Sequence, residues 1–228
     1  MKTLVNVARY HLVDRLTYVA LPWGIMAFSF LVNLVIATVL PGPQGNYTGG
    51  LVTIYIFLLI CGAISMTRAL PFGLMLGISR RTYYLGTALL IAALGVVYGL
   101  GLTVLQAVER VTGGWGTGLH FFRVPWIMNG PWYQTWLTSF VLLVLFFLYG
   151  MWYGLVYRRW NLVGLVTFIA AQVLVVLVVV VAASVTHNWA GVGHFFTTLT
   201  APALTGVLAA VAVALGLGGL TTIRRVTI

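Results

Sequence analysis

Very few residues in this sequence could do chemistry, and their types exclude more than they permit. Asp14 and Glu109 are the only carboxylates and Lys2 the only lysine, so neither a paired-carboxylate acid–base site nor a GxxxxGK[ST] phosphate loop can be assembled. Cys61 stands alone inside an apolar run, which rules out an internal disulfide, a CxxC redox pair and a four-ligand zinc site and leaves packing as its reading. His187 and His194 share a loop with no carboxylate beside them, a poor metal pair. A serine–histidine intramembrane protease would need a GxSG turn, and Gly62-Ala-Ile-Ser65 places its serine differently. No catalytic, cofactor-binding or metal-ligating residue is expected. Any ATP-driven work must come from a partner.

The elements that carry these residues belong in a bilayer: at 61% hydrophobic and 6% charged, the chain has too little polar surface for water. A hydrocarbon core of about 30 Å needs about 20 helical residues. Hydropathy marks six such stretches, near 19–40, 51–70, 83–107, 134–157, 162–185 and 199–220. They are continuous rather than alternating in polarity, which favours a helical bundle over a membrane barrel. Lys2, Arg9, Arg15, Arg68, Arg80, Arg81, Arg158, Arg159, Arg224 and Arg225 then fall on one side, and Arg110 and Arg123 on the other. By the positive-inside rule both termini face the cytoplasm. The net charge of +10 is read as orienting the chain in a cell membrane, not as binding nucleic acid. The expectation is an all-α, multi-pass integral membrane protein, with residues 1–228 forming one transmembrane domain.

Before the first span, Met1, Leu4, Val5, Ala8, Leu12, Leu16 and Val19 share one side of a helical projection, which predicts an amphipathic interfacial helix over 1–18, with a frayed cytoplasmic tail as the alternative. Pro22 is expected to turn the chain from lying flat to crossing. On the outer side, residues 108–133 carry Trp115, Phe121, Phe122, Trp126, Trp132 and Tyr133. These aromatics read as an interfacial belt, with a substrate gate or lid as the alternative.

Polar residues within the spans are sparse. Asn33 and Gln172 either bond one helix to another or line a polar path, and Arg68, near the end of the second span, either snorkels to the headgroups or joins that path. Gly95-Val-Val-Tyr-Gly99 and Gly150-Met-Trp-Tyr-Gly154 have the spacing that lets helices pack closely. The link between the second and third spans is short and oddly apolar. Pro71 should begin a new helix, Phe72, Leu74, Met75, Leu76 and Ile78 supply bulk, and Ser79-Arg80-Arg81 makes a polar break. A stubby helix near 71–83 is predicted, with a membrane-hugging turn as the alternative.

The run Leu76-Gly-Ile-Ser-Arg-Arg-Thr-Tyr-Tyr-Leu-Gly-Thr87 resembles the LG-[IV]-S-R-R-x-[FY]-x-x-G-T element of permease subunits of type-2 ATP-binding-cassette exporters. The surface helix, the six spans and the Arg224-Arg225 tail are similar to that family as well. The resemblance implies that the link is a coupling helix docking into a separate ATPase through Gly77, Ser79, Arg80, Arg81 and Tyr83, with Phe72 supplying apolar bulk beside them. It implies cytoplasmic ATP-binding-cassette ATPase subunits that bind ATP and Mg, and a second permease, either a copy or a paralogue. The many aromatics and the lack of charge within the spans suggest a lipid-like, peptide or antibiotic-like cargo. A non-transporting scaffold, or an immunity protein that sequesters a hydrophobic peptide, is the alternative function.

Overall fold

The computed structural model describes residues 7, 14–40, 46–124, 127, 128, 130–187, 189, 191, 193 and 200–223. Most of the expected surface helix lies outside these residues, as do Trp126, His194 and the Arg224-Arg225 tail. Helices dominate what is described. Five stretches are long and apolar enough to cross a membrane: Leu16–Val39, Val52–Met75, Arg80–Val111, Trp132–Val185 and Ala201–Thr222. Within them we label α1 (Leu21–Val39), α2 (Val52–Ile64), α3 (Leu70–Met75), α4 (Arg80–Val111), α5 (Trp132–Val185) and α6 (Ala201–Thr222). Two short strands, β1 (Asn46–Tyr47) and β2 (Leu119–His120), pair in parallel.

A straight α5 of 54 residues would be about 81 Å long at 1.5 Å per residue. It is not straight. Asn161 leaves helical geometry at φ 54° and ψ −154°, dividing α5 into arms 132–160 and 162–185. The arms fold back on each other, since the hydroxyls of Tyr149 and Tyr153 both donate to Gln172 Oε1, at 2.6 and 2.8 Å.

Pro22 and Pro71 both lie inside continuous helices. Each lies in the same local run, Ala20-Leu-Pro-Trp23 and Ala69-Leu-Pro-Phe72, and each follows a π-helical turn, Leu16–Ala20 or Ser65–Ala69. Proline has no N–H and its ring clashes with the carbonyl four residues back. A wide turn with i→i+5 bonding, Leu21 N–H to the Leu16 carbonyl and Leu70 N–H to the Ser65 carbonyl, absorbs that mismatch. The helix therefore continues through both prolines. Pro71 does not start a separate helix, while the surface helix from which Pro22 was expected to turn the chain lies mostly outside the described residues.

The core forms where backbones approach most closely. A Cβ on Gly150 would sit 1.9 Å from the Leu59 carbonyl oxygen, and one on Gly62 2.1 Å from that of Phe147, so α2 and the first arm of α5 touch main chain to main chain. Both pairs with GxxxG spacing thus pack inside this chain, Gly95 and Gly99 doing so against Phe140 and Trp136. Aromatic donors fasten the remaining helices. Tyr84 Oη donates to the Gly216 carbonyl at 3.0 Å and Trp152 Nε1 to that of Leu215 at 2.9 Å, holding α6, while Tyr98 Oη donates to the Tyr18 carbonyl beside α1. By contrast the second arm of α5 is exposed along most of its length, with Leu174 through Val181 between 42% and 63% accessible.

Candidate functional site

The corner between α3 and α4 is built from local rules. Gly77, at φ 80°, takes the left-handed position that ends a helix, while Ile78 N–H reaches the Gly73 carbonyl at 3.1 Å and Gly77 N–H that of Leu74 at 2.9 Å. These two bonds form a Schellman closure, which satisfies carbonyls the ending helix would leave open. Ser79 then caps α4, its Oγ accepting Thr82 N–H at 3.1 Å. The predicted stubby helix over 71–83 is consequently not one unit. Residues 70–75 continue the preceding helix, 76–79 turn, and 80–83 already belong to α4.

Tyr83 locks the corner. It is fully buried, its hydroxyl donates to the Ser65 carbonyl at 2.8 Å, and its ring covers Gly73, where a Cβ would meet the ring at 2.8 Å. A contact role with a partner therefore does not suit Tyr83, which ties the end of α2–α3 to the start of α4. The other expected contact residues lie at the surface: Phe72 is 47% accessible, Gly77, Ser79 and Arg81 are exposed, and Arg80 is half-buried. Met75 and Leu76, at 78% and 61% accessible, complete an apolar tip flanked by arginines. Gly73 was not anticipated, because only the Tyr83 ring laid over it explains why a side chain is excluded there.

Asn33 Nδ2 donates to the Ser29 carbonyl of its own helix at 2.8 Å, and Gln172 joins the two arms of α5. Arg68 is exposed on the π-turn and lines a cavity of about 530 Å³ together with Tyr153 and Tyr157. Tyr153 bonds Gln172, so Gln172 supports the wall of the cavity that Arg68 borders.

At the opposite end of α4 lies a site that sequence reasoning missed. Glu109 is 1% accessible, and its carboxylate accepts N–H groups from Phe121, Phe122 and Arg123 at 3.0, 2.8 and 3.0 Å, with Trp115 Nε1 at 3.3 Å. Three backbone donors on one carboxylate turn a 12-residue loop into a fixed cap. The rings of Trp115, Phe121 and Phe122 then pack on Phe30 of α1, at centroid distances of 4.9, 5.4 and 5.5 Å. These three aromatics pack inside the protein, whereas Trp132 and Tyr133 are 68% and 58% accessible. The stripe Tyr83, Thr87, Leu90, Leu94, Tyr98, Leu102, Gln106 and Glu109 is buried along α4 in steps of three and four, and this periodicity was the available signal for Glu109.

Comparisons with known proteins return nothing: no family model, curated protein or solved structure matches the chain. Among the described residues no group of His, Cys, Asp and Glu could hold a metal.

Proposed function

We propose that this chain is the membrane-spanning subunit of an ATP-driven exporter, powered by a separate ATP-binding-cassette ATPase that grips the corner between α3 and α4. In this reading the chain crosses the membrane six times, the two arms of α5 counting as separate spans, with both termini in the cytoplasm. Two such permeases, identical or paralogous, flank a path, and the paired ATPases bind ATP and Mg.

The observation that carries this reading is the construction of the corner. A loose loop would dissipate an applied displacement, whereas the Schellman closure, the Ser79 cap and the Tyr83 strut join two long helices into one lever. Force applied at Phe72, Met75 and Leu76 is then transmitted to α2 and α4 together, as rigid-body alternating access requires. Arg80 and Arg81 beside the tip suit an acidic groove on the motor. A cavity of about 350 Å³ between α4, the first arm of α5 and α6, lined by residues such as Ile91, Val144, Leu148 and Leu217, is nearly devoid of polar atoms and favours hydrophobic or amphipathic cargo.

The test is co-purification of this chain in detergent with a soluble Walker-type ATPase from its own cells. The ATPase should travel with the wild type and be released by Arg80→Glu combined with Arg81→Glu. Association that survives both substitutions and deletion of 72–82 would overturn the docking assignment. Full-rate, nucleotide-independent solute movement in vesicles holding this chain alone would overturn the transporter reading itself.

A further inference from the structure

The cavity beside Arg68 has a chemistry that the exporter reading does not use. It is lined by Thr67 and Arg68 of the π-turn Ser65–Ala69 and by Tyr153 and Tyr157 of α5, and it is walled by Ile60, Ala63 and Ile64 on one side and Leu165 on the other. The polar groups gather at one end. Of these, Thr67 already donates to the Ala63 carbonyl at 3.0 Å and Tyr153 to Gln172 at 2.8 Å. Arg68 and Tyr157 make no hydrogen bond or ion pair to another described residue.

The chain cannot readily supply a counter-charge. Its only acids are Asp14, which accepts the Thr17 N–H at 3.1 Å, and Glu109, enclosed at the far end of α4. A guanidinium at the mouth of an apolar cleft, roughly 12 Å long from Leu59 to Thr67 at 1.5 Å per residue, matches a molecule with an anionic head and a hydrocarbon tail. Arginine pairs with phosphate through two parallel hydrogen bonds, and a phenol donates a further one.

We propose that this cavity is a binding site for one anionic membrane phospholipid, its phosphate held by Arg68 and Tyr157 and one acyl chain lying against Ile60, Ile64 and Leu165. The site touches the same π-turn that Tyr83 grips, so a bound lipid braces the corner from its membrane side. This inference does not depend on an ATPase partner, and its failure would leave the exporter reading untouched.

Native mass spectrometry of the full chain in detergent tests it, by titration with phosphatidylglycerol and with phosphatidylcholine of identical acyl chains. The wild type should retain phosphatidylglycerol in preference. Arg68→Gln should weaken that retention roughly tenfold, as expected for loss of one charge-assisted contact. Leu165→Trp should weaken it by filling the apolar wall. Arg159→Gln is the control, since Arg159 lies at the same end but stacks on Trp160 at 4.6 Å, and it should change retention less than twofold. Equal retention of the two lipids would overturn the proposal, as would equal losses in the Arg68 and Arg159 variants. Competition by millimolar glycerol phosphate would also overturn it, by making the site one for a free anion. Gel filtration and thermal melting of each variant separate lost binding from lost folding.

Discussion

Replacing Glu109 with alanine isolates what the carboxylate does, because the loop it organises contains a protease site. The substitution leaves Phe121, Phe122 and Arg123 N–H without their acceptor, and the first two belong to residues only 1% and 3% accessible. Orphaning a buried donor costs about 1–3 kcal/mol, so these two alone cost about 2–6 kcal/mol. The loss falls on the loop rather than on the helix contacts, and it converts to a rise in loop opening of between about 30-fold and 10⁴-fold at 1.4 kcal/mol per decade. Trypsin cleavage after Arg123 reads that opening directly when reclosure is fast. The first-order cleavage rate in detergent should rise accordingly for Glu109→Ala, and less for Glu109→Gln, which keeps one carbonyl acceptor. Cleavage of Glu109→Ala at the wild-type rate would refute the cap.

Three further substitutions probe the frame. Gly77→Ala forces a side chain into φ 80° and should destabilise the corner by about 1 kcal/mol, seen as a lower melting temperature in detergent. Asn161→Gly relieves a backbone conformation that only glycine adopts easily and should raise stability by about 1 kcal/mol, while Asn161→Val should lower it; the reverse order would contradict the break between the arms. Gly150→Leu cannot be accommodated 1.9 Å from the Leu59 carbonyl oxygen and should abolish monodisperse folded protein, whereas Gly24→Leu, with open space around it, should not.

The long apolar helices were legible because a bilayer fixes their length and the hydropathy of each run exceeds what any loop would carry. The start of α4 was misplaced: 80–83 was assigned to the stubby helix, although Ser79 is of a residue type that caps helices without tertiary context, because two arginines in a first turn are not a helix-start signal. Features that depend on a distant neighbour were not legible. Pro22 and Pro71 look like interruptions until the π-turn before each is known, and helix rules treat proline as a break. Glu109 looks like an isolated loop acid because its partners are backbone N–H groups, which every sequence has and no residue type marks. Tyr83 falls inside the motif that suggested a docking surface, yet it faces inward; the buried stripe along α4 identifies it, and the motif does not.

An exporter of this kind requires a motor that takes hold of the apolar tip. A photo-crosslinking amino acid at Met75, 78% accessible at that tip, and another at Val111, 87% accessible at the other end of α4, can be introduced into the full chain in its native membrane. Mass spectrometry of the adducts should find an ATP-binding-cassette ATPase joined to position 75 and not to position 111. Adducts at position 75 that contain only lipid, or no nucleotide-binding subunit, would contradict the central claim.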